Sequence, residues 1–540
     1  MEVQKSSSSV PIHDDGRKKH CWECRRRRLV CDSAQPTCNR CRQARIVCPG
    51  YEDHQPLRWL TPGKVTSRSR RPKGSKASKA KAANASAKKS IQEEGDPEEG
   101  FEVQGISKSQ LVDTLLRFEL KYTIDMYESS SPLKGMVRDD RLGLPPVSLW
   151  RYLPQALKYM FVSLAMAHHI NRLPPGTDRS SVSAAMTVLW HWNGLAIRAL
   201  NELINQERFR VGDAIIAGTL LIMACDLQQN IDSQWRHHYD GLTRMIELRG
   251  GMLKYWQEAP HMRTSVAGLV ITEAFANSTS PYNDQFTRLT RAPQLDDVRT
   301  VLGDGVYPAY IGTLCPPELI LLIIRVNHLR ASVGSSLASP CPPTSTSVAD
   351  AASSDSGSGI GIGSGDGESA ALDLLAAILA FSPAQSASRT GLLAPDEWIL
   401  FGRIYQSAAV LYCVVSLRSV GLLPPSSTIP PSSSLFPLSS PAAIEATHYD
   451  RLLPDLKRAL DAKPQNKSPL LWPLAVAGTR AKRGSSFERG FIEDTVREVG
   501  RHTGSVVAWS AAGALRRYWD AGGEEDRWDE CWDRAFCLLA

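Results

Sequence analysis

Through residues 105–540 apolar side chains recur every third or fourth position, the spacing that lines one face of a helix. In SQLVDTLLRFELKYTIDMYE (109–128) it puts Leu111, Leu115, Phe118, Tyr122 and Met126 on one face. PQALKYMFVSLAMAHHI, VSAAMTVLWHWNGLAIRALNELI and VGDAIIAGTLLIMACDLQ read as buried helices. QWRHHYDGLTRMIELRGG predicts a helix that stops at Gly250-Gly251, a glycine C-cap. PELILLIIRVNHLR, DEWILFGRIYQSAAVLYCVVSLRS, AAIEATHYDRLL and EEDRWDECWDRAFCLL supply further helices. No segment alternates with a period of two, so 105–540 is expected to be an all-α body, long enough to bury a large core. Two stretches interrupt it, 331–368 with SSDSGSGIGIGSGDGES and 421–441, GLLPPSSTIPPSSSLFPLSSP. Their Ser, Gly and Pro content predicts disordered surface loops.

Charge divides the chain more sharply than hydropathy does. The formal net charge is +7, but residues 1–90 carry +15 and the remainder −8. A basic head on an acidic body is the footprint of a nucleic-acid reader with a separate regulatory part. Residues 1–19 are expected to be a disordered tail and 51–104 a linker, basic at first and acidic at its end in QEEGDPEEG. Within the linker, 64–89 hold ten Lys and Arg and no acid. This composition predicts a disordered basic arm, a nuclear localisation signal and extra phosphate contacts, or a solvated linker alone. RRPKG lacks the Arg-Gly-Arg-Pro core of a minor-groove hook. No heptads run between 55 and 105, so any dimer has to form elsewhere. No apolar leader opens the N-terminus, and no apolar run approaches a membrane span of about 18–20 residues, so no membrane partner is expected. Six further cysteines are scattered, as in a reducing compartment.

The concentrated chemistry lies in residues 20–50. Cys21, Cys24, Cys31, Cys38, Cys41 and Cys48 follow C-x2-C-x6-C-x6-C-x2-C-x6-C, one unit used twice. A C-x2-C pair presents two sulfurs to one ion, usually tetrahedral zinc. Two such ions need eight coordination positions, which six cysteines fill only if two sulfurs bridge. Three disulfides, or one zinc with two spare thiols, are weaker alternatives, and a cross-brace module needs eight ligands, with only His20 adjacent. After Cys24 a short helix would carry Arg25, Arg26, Arg27 and Arg28, pointing cations in every direction. Arginine's planar fork matches guanine O6 and N7 in the major groove, and other arginines pair with phosphates. The alternative is a solvated charged face.

The six-cysteine spacing, the basic run, the Cys31-Asp32 pair and Pro36 closely resemble the zinc binuclear cluster (Zn2Cys6) of fungal transcription factors. The resemblance implies two Zn2+ per chain with Cys21 and Cys38 bridging: one ion on Cys21, Cys24, Cys31 and Cys38, the other on Cys21, Cys38, Cys41 and Cys48. It implies binding to double-stranded DNA, with CGG triplets read at Arg28 beside Arg27, and Val30 replaces a basic residue common in the family. WRHHYDGLTRMIELRGG, preceded by IIAGTLLIMACDL, resembles the central motif of the fungal-specific regulatory domain that accompanies such clusters. Cluster and linker together also resemble regulators of the acriflavine-sensitivity control type. These resemblances imply a nuclear, non-enzymatic regulator of RNA polymerase II genes that works with the transcription machinery and pairs, if it does, through its helical body. The alternative is a helical sensor or enzyme whose zinc head is a protein-interaction module.

Other motifs carry less. His168-His169 and His237-His238 read as packed or exposed helix residues, since adjacent histidines diverge by about 100°. The glycine tract at 357–367 neither follows a strand nor opens a helix and lacks the Lys-Ser/Thr of a phosphate loop. Trp190 and Trp192 read as core. The C-terminal segment mixes acids with aromatics, as activation segments do, but Trp528, Trp532, Phe536 and Leu539 also share a helical face suited to packing.

Overall fold

A computed structural model describes residues 20–27, 29–34, 37–44, 46, 48, 152–173, 177–206, 212–229, 235–303, 313–337, 364–390, 394–424, 440–462, 464–522 and 527–538. The chain divides into two units at Glu94/Gly95. In the first, α1 (Trp22–Arg27) and α2 (Asn39–Gln43) are short turns. The second is the all-α body expected from the periodicity, and among the described residues it contains no strand. The helix expected over 109–128, the N-tail and the basic arm lie outside the described residues.

The body opens with α3 (Gln155–Asn171), α4 (Arg179–Asn205) and α5 (Asp213–Gln229), packed on one another. Helix α6 (Trp235–Leu248) buries Trp235, Tyr239, Leu242 and Ile246, one stripe at helical spacing. It ends as predicted. Gly250 and Gly251 have φ of 99° and 96°, and their N–H groups donate to Glu247 O (2.9 Å) and Ile246 O (3.1 Å), a Schellman closure. The motif's polar residues each have work of their own. Arg236 pairs with Asp284 (2.9 Å), Arg249 with Asp213 (3.1 Å), and Asp240 with Arg288 (2.8 Å).

After α7 (Met252–Glu258), α8 (Arg263–Thr279) is buried almost all round. Its Glu273 carboxylate, fully buried, accepts from the backbone N–H groups of Arg288, Leu289 and Thr290 and from Tyr239 OH at 2.6 Å. This straps the following loop to two helices without leaving a buried charge unsolvated. Then come α9 (Leu295–Gly303), α10 (Pro317–Leu337), α11 (Ser364–Ala380) and α12 (Pro383–Thr390). The loop expected over 331–368 is therefore narrower, because both flanks are helical. The glycine tract does open a helix, α11, contrary to expectation, since Ser364 begins it.

Helix α13 (Pro395–Ser419) buries every residue from Ile404 to Leu417 and packs against α10, α11, α12, α14 (Pro441–Ala462) and α15 (Leu471–Arg480). It is long and apolar enough to cross a membrane, which the count of apolar runs missed because Arg403 and Gln406 interrupt it. Its apolar window is 89% buried inside the body, the mark of a central core helix. Gln406 donates to the end of α11 at Ile378 O (3.0 Å), and Arg403 to Asp455 (3.1 Å). Helices α16 (Ser486–Thr503), opened by a Ser485/Glu488 capping box, and α17 (Val506–Asp520) complete the layer.

The C-terminal segment differs from the continuous helix expected. Only α18 (Trp528–Cys531) is helical. Beyond it the chain leaves the helical ladder and is tied to α8: Phe536 N donates to Thr279 Oγ1 (2.9 Å), which donates to Phe536 O (2.8 Å). Trp528, Trp532 and Phe536 are buried, so the packing reading of these aromatics holds although the helix does not. Arg330, fully buried on α10, donates to Ser280 O (3.0 Å), Tyr412 OH (3.0 Å) and Asp529 Oδ1 (2.6 Å). Trp528 Nε1 donates to Ser278 O (2.7 Å) and Trp472 Nε1 to Ser278 Oγ (2.8 Å).

Arg330→Met removes the cation from Asp529 and the donor from Ser280. Full-length protein should lose about 3–5 kcal/mol, the cost of breaking a buried pair, read as a lowered urea midpoint. Burial also holds His168 and His448 down to about 4. Below the ordinary histidine value the unfolded chain takes up protons that the folded chain refuses. Stability from these two groups is therefore whole above about pH 6.5 and lost as pH falls toward 4. The urea midpoint should drop across that window, and His448→Gln should flatten the drop.

Candidate metal centre and nucleic-acid interface

The repeated cysteine unit folds into two equivalent halves. Arg25 N donates to Cys21 O (2.9 Å) and Arg42 N to Cys38 O (3.1 Å). Leu29 N donates to Cys24 O (2.9 Å) and Ile46 N to Cys41 O (3.1 Å). In each half the first cysteine's sulfur caps the turn: Cys24 N donates to Cys21 Sγ (3.4 Å) and Cys41 N to Cys38 Sγ (3.3 Å). The same C-x2-C-x6-C sequence therefore builds the same turn twice, with both helix N-termini aimed at sulfur.

The halves meet through these sulfurs. Cys21 Sγ and Cys38 Sγ lie 3.6 Å apart, Cys24 and Cys38 3.7 Å, and Cys21 and Cys41 3.8 Å. These separations are far above the roughly 2.05 Å of a disulfide. Two sets of sulfurs result, Cys21, Cys24, Cys31, Cys38 and Cys21, Cys38, Cys41, Cys48, each with all its atoms within 4.8 Å of one another. Cys21 and Cys38 belong to both. Five of the cysteines are buried and Cys48 is half-buried. Burial pushes Cys24 up to about 11 and Cys41 up to about 12, and raises Cys21 further. A cation at the centre of each set would reverse that penalty, and four thiolates at tetrahedral reach suit zinc.

Residues outside the sulfur set hold it in place. His20 Nδ1 accepts from Cys31 N (3.2 Å), which accounts for the one adjacent histidine. Asp32 accepts from Asn39 N (3.0 Å) and locks the start of α2. The sequence marks Asp32 only by its position after the third cysteine; its capping role needs the fold. Arg25 and Arg27 are exposed. Arg26 lies in α1, its side chain not described, and Arg28 lies outside the described residues. The exposed Arg40 and Arg42 give the second half its own basic edge, which the sequence reading passed over although the repeat displayed it. Val30 is 76% exposed.

The body's other candidates divide differently. His168 is buried and His169 exposed, while His238 pairs with Asp226 (3.1 Å) beside an exposed His237. Trp192 is core, but Trp190 is 57% exposed, contrary to expectation, because the inner face of α4 is already filled by Leu189, Trp192, Leu195, Ala196 and Leu200. Among the described residues a cavity of about 230 Å³ opens between α17 and the C-terminal segment, bearing Arg517, Glu530 and Asp533.

Residues 19–58 match the fungal Zn(2)-Cys(6) binuclear cluster domain, and residues 138–538 match the fungal specific transcription factor domain. The phomenoic acid biosynthesis cluster-specific transcriptional regulator of Leptosphaeria maculans is 27% identical over 532 residues, covering 97% of this chain and 90% of that protein. No solved structure matches the chain significantly. The sulfur geometry, the zinc-cluster match and a regulatory-domain match spanning most of the chain agree: the protein belongs to the fungal Zn2Cys6 transcription factors with a fungal-specific helical regulatory domain.

Proposed function

We propose that this transcription factor is nuclear, regulates RNA polymerase II genes, and reads a CGG-like triplet in the major groove through a cluster of two Zn2+ held by Cys21, Cys24, Cys31, Cys38, Cys41 and Cys48. The observation that carries the reading is the pair of four-sulfur sets sharing Cys21 and Cys38, with exposed arginines beginning one residue after Cys24. Six thiolates against two divalent ions leave a charge of −2, which the surrounding guanidinium groups offset. Arg25, Arg26, Arg27 and Arg28 divide between phosphates and guanine, with Arg28 as the reading residue. The basic stretch 64–89 adds sequence-independent phosphate contacts and the nuclear localisation signal. The relative's printed name supports a pathway-specific role, control of a biosynthetic gene cluster.

A single triplet cannot single out genes among the roughly 10^6–10^9 competing sites of a genome. Pairing of two chains through the body doubles the site, and recruitment of transcription machinery follows from the same body. A helical enzyme or sensor with a protein-binding zinc head is less well supported, because such a module has no use for four consecutive guanidinium groups.

Metal analysis of the purified chain should give two zincs, and chelation should abolish DNA binding while leaving the body's helical signal intact. One zinc per chain with full DNA binding removes the bridged cluster. Arg28→Ala should cost about 1–3 kcal/mol and relax preference at one guanine. Lys76→Gln with Lys79→Gln should instead weaken all sequences alike and flatten the salt dependence. Unchanged affinity and site preference in Arg28→Ala would put the reading residue elsewhere.

A further inference from the structure

Helix α4 carries a surface that the DNA-binding head does not explain. Its 27 residues run about 40 Å. Leu189, Trp192, Leu195, Ala196 and Leu200 face inward and are buried, yet Trp190 (57% exposed), Ile197 (45%) and Val188 (45%) face solvent. From Ser180 to Ile197 the helix has no Lys, Arg, Asp or Glu. A helix with one face in water ordinarily carries charge there. The outermost line is Ser183, Thr187, Trp190, Gly194, Ile197 and Asn201, spaced alternately by four and three residues, the seam spacing of paired helices. Gly194 leaves a notch in that line, since a Cβ built there meets nothing within 4 Å.

We propose that this face of α4 is a twofold self-association surface, occupied by α4 of a second copy running antiparallel, with Trp190 seated over the partner's Gly194. With the axis at the level of residue 192, the pairing is reciprocal: each large indole meets the other chain's notch, and Thr187 meets the partner's Ile197. Over Thr187, Trp190, Gly194 and Ile197 small and large residues alternate in the order that lets the line pack against itself reversed, as an isologous interface requires. Charge follows the same order. Residues 187–197, which hold no charged side chain, cover the same stretch of the partner, and Arg179, at the start of one helix, comes within a turn of the partner's Glu202 near the end of the other. The surface deepens the function proposed above and rests on it for the purpose of pairing, since it supplies the doubled site that the linker, free of heptads, does not.

Sedimentation equilibrium of the full chain, zinc-loaded, tests it. The wild type should form a reversible dimer. Gly194→Trp fills the notch in a position the monomer leaves open, and Trp190→Glu charges the knob. Each should raise the dimer dissociation constant about thirtyfold or more, as loss of an interface hot spot does, with helicity unchanged. Leu248→Glu, on an exposed position of α6, should leave the dimer intact. A monomeric wild type, or a dimer indifferent to both α4 variants, overturns the proposal. So does solvent protection of Trp190 in a monomer, which would assign the face to another segment or partner. Against DNA, both variants should keep single-triplet binding and lose the gain on a double site. If the wild type binds no such triplet, the DNA reading fails, while the mass measurement still decides the surface.

Discussion

A thiol buried among other thiols resists ionisation, and the head gathers six of them between residues 21 and 48, where the described buried cluster consists of the cysteines themselves. Its conformation therefore follows from how those sulfurs are shared. Cys21 and Cys38 each begin a half and each belong to both four-sulfur sets, so neither half is complete alone. Both helix N-termini point their N–H groups at these two sulfurs, and among the described arginines Arg25, Arg27, Arg40 and Arg42 are left on the outside. The body meets the opposite difficulty. There, apolar packing is abundant, and the scarce resource is polar partners for buried backbone at the end of α8. Arg330, Trp472 and Trp528 supply donors to Ser278 and Ser280, and Glu273 accepts from the loop beyond.

The head was legible because its information is local. Spacing marked the six sulfurs as one site, the family resemblance assigned them to two sets, and the repeat of the spacing pointed to two equivalent turns. In the body, helices with a clean stripe or a clear stop were legible too, as in α6, where 235, 239, 242 and 246 face inward and Gly250 ends the helix. Most of what escaped had no such pattern. Helix α8 is buried nearly all round and carries Glu273, Asn277, Ser278 and Thr279, so its polar run resembles a loop until their partners are known. Helix α16 is absent from the sequence expectations, although its capping box and its 492, 496, 499 stripe stand in the sequence. Trp190 and Trp192 show the limit of type without phase: two positions apart on a helix, they point to opposite sides.

The two units also divide the labour of change. Contacts in the head are short in sequence, so substitutions there act on metal and DNA directly. Contacts in the body span long separations, such as Arg330 to Asp529 and Thr279 to Phe536, so substitutions there act through packing.

The segment 528–538 is synthesised after every element it packs against. Trp528, Trp532 and Phe536 fill the space beside α8 and α13, and Asp529 gives Arg330 its counter-ion. While the ribosome is still translating, the body holds an open slot in which Arg330 has Ser280 and Tyr412 but no counter-ion, whereas the cysteine-rich head has long since emerged with all its sulfurs. The head can therefore mature during translation, but the regulatory body closes only when translation has passed residue 538. A premature stop just before Trp528 would release a chain with a complete DNA-binding head on a body that lacks its closing segment.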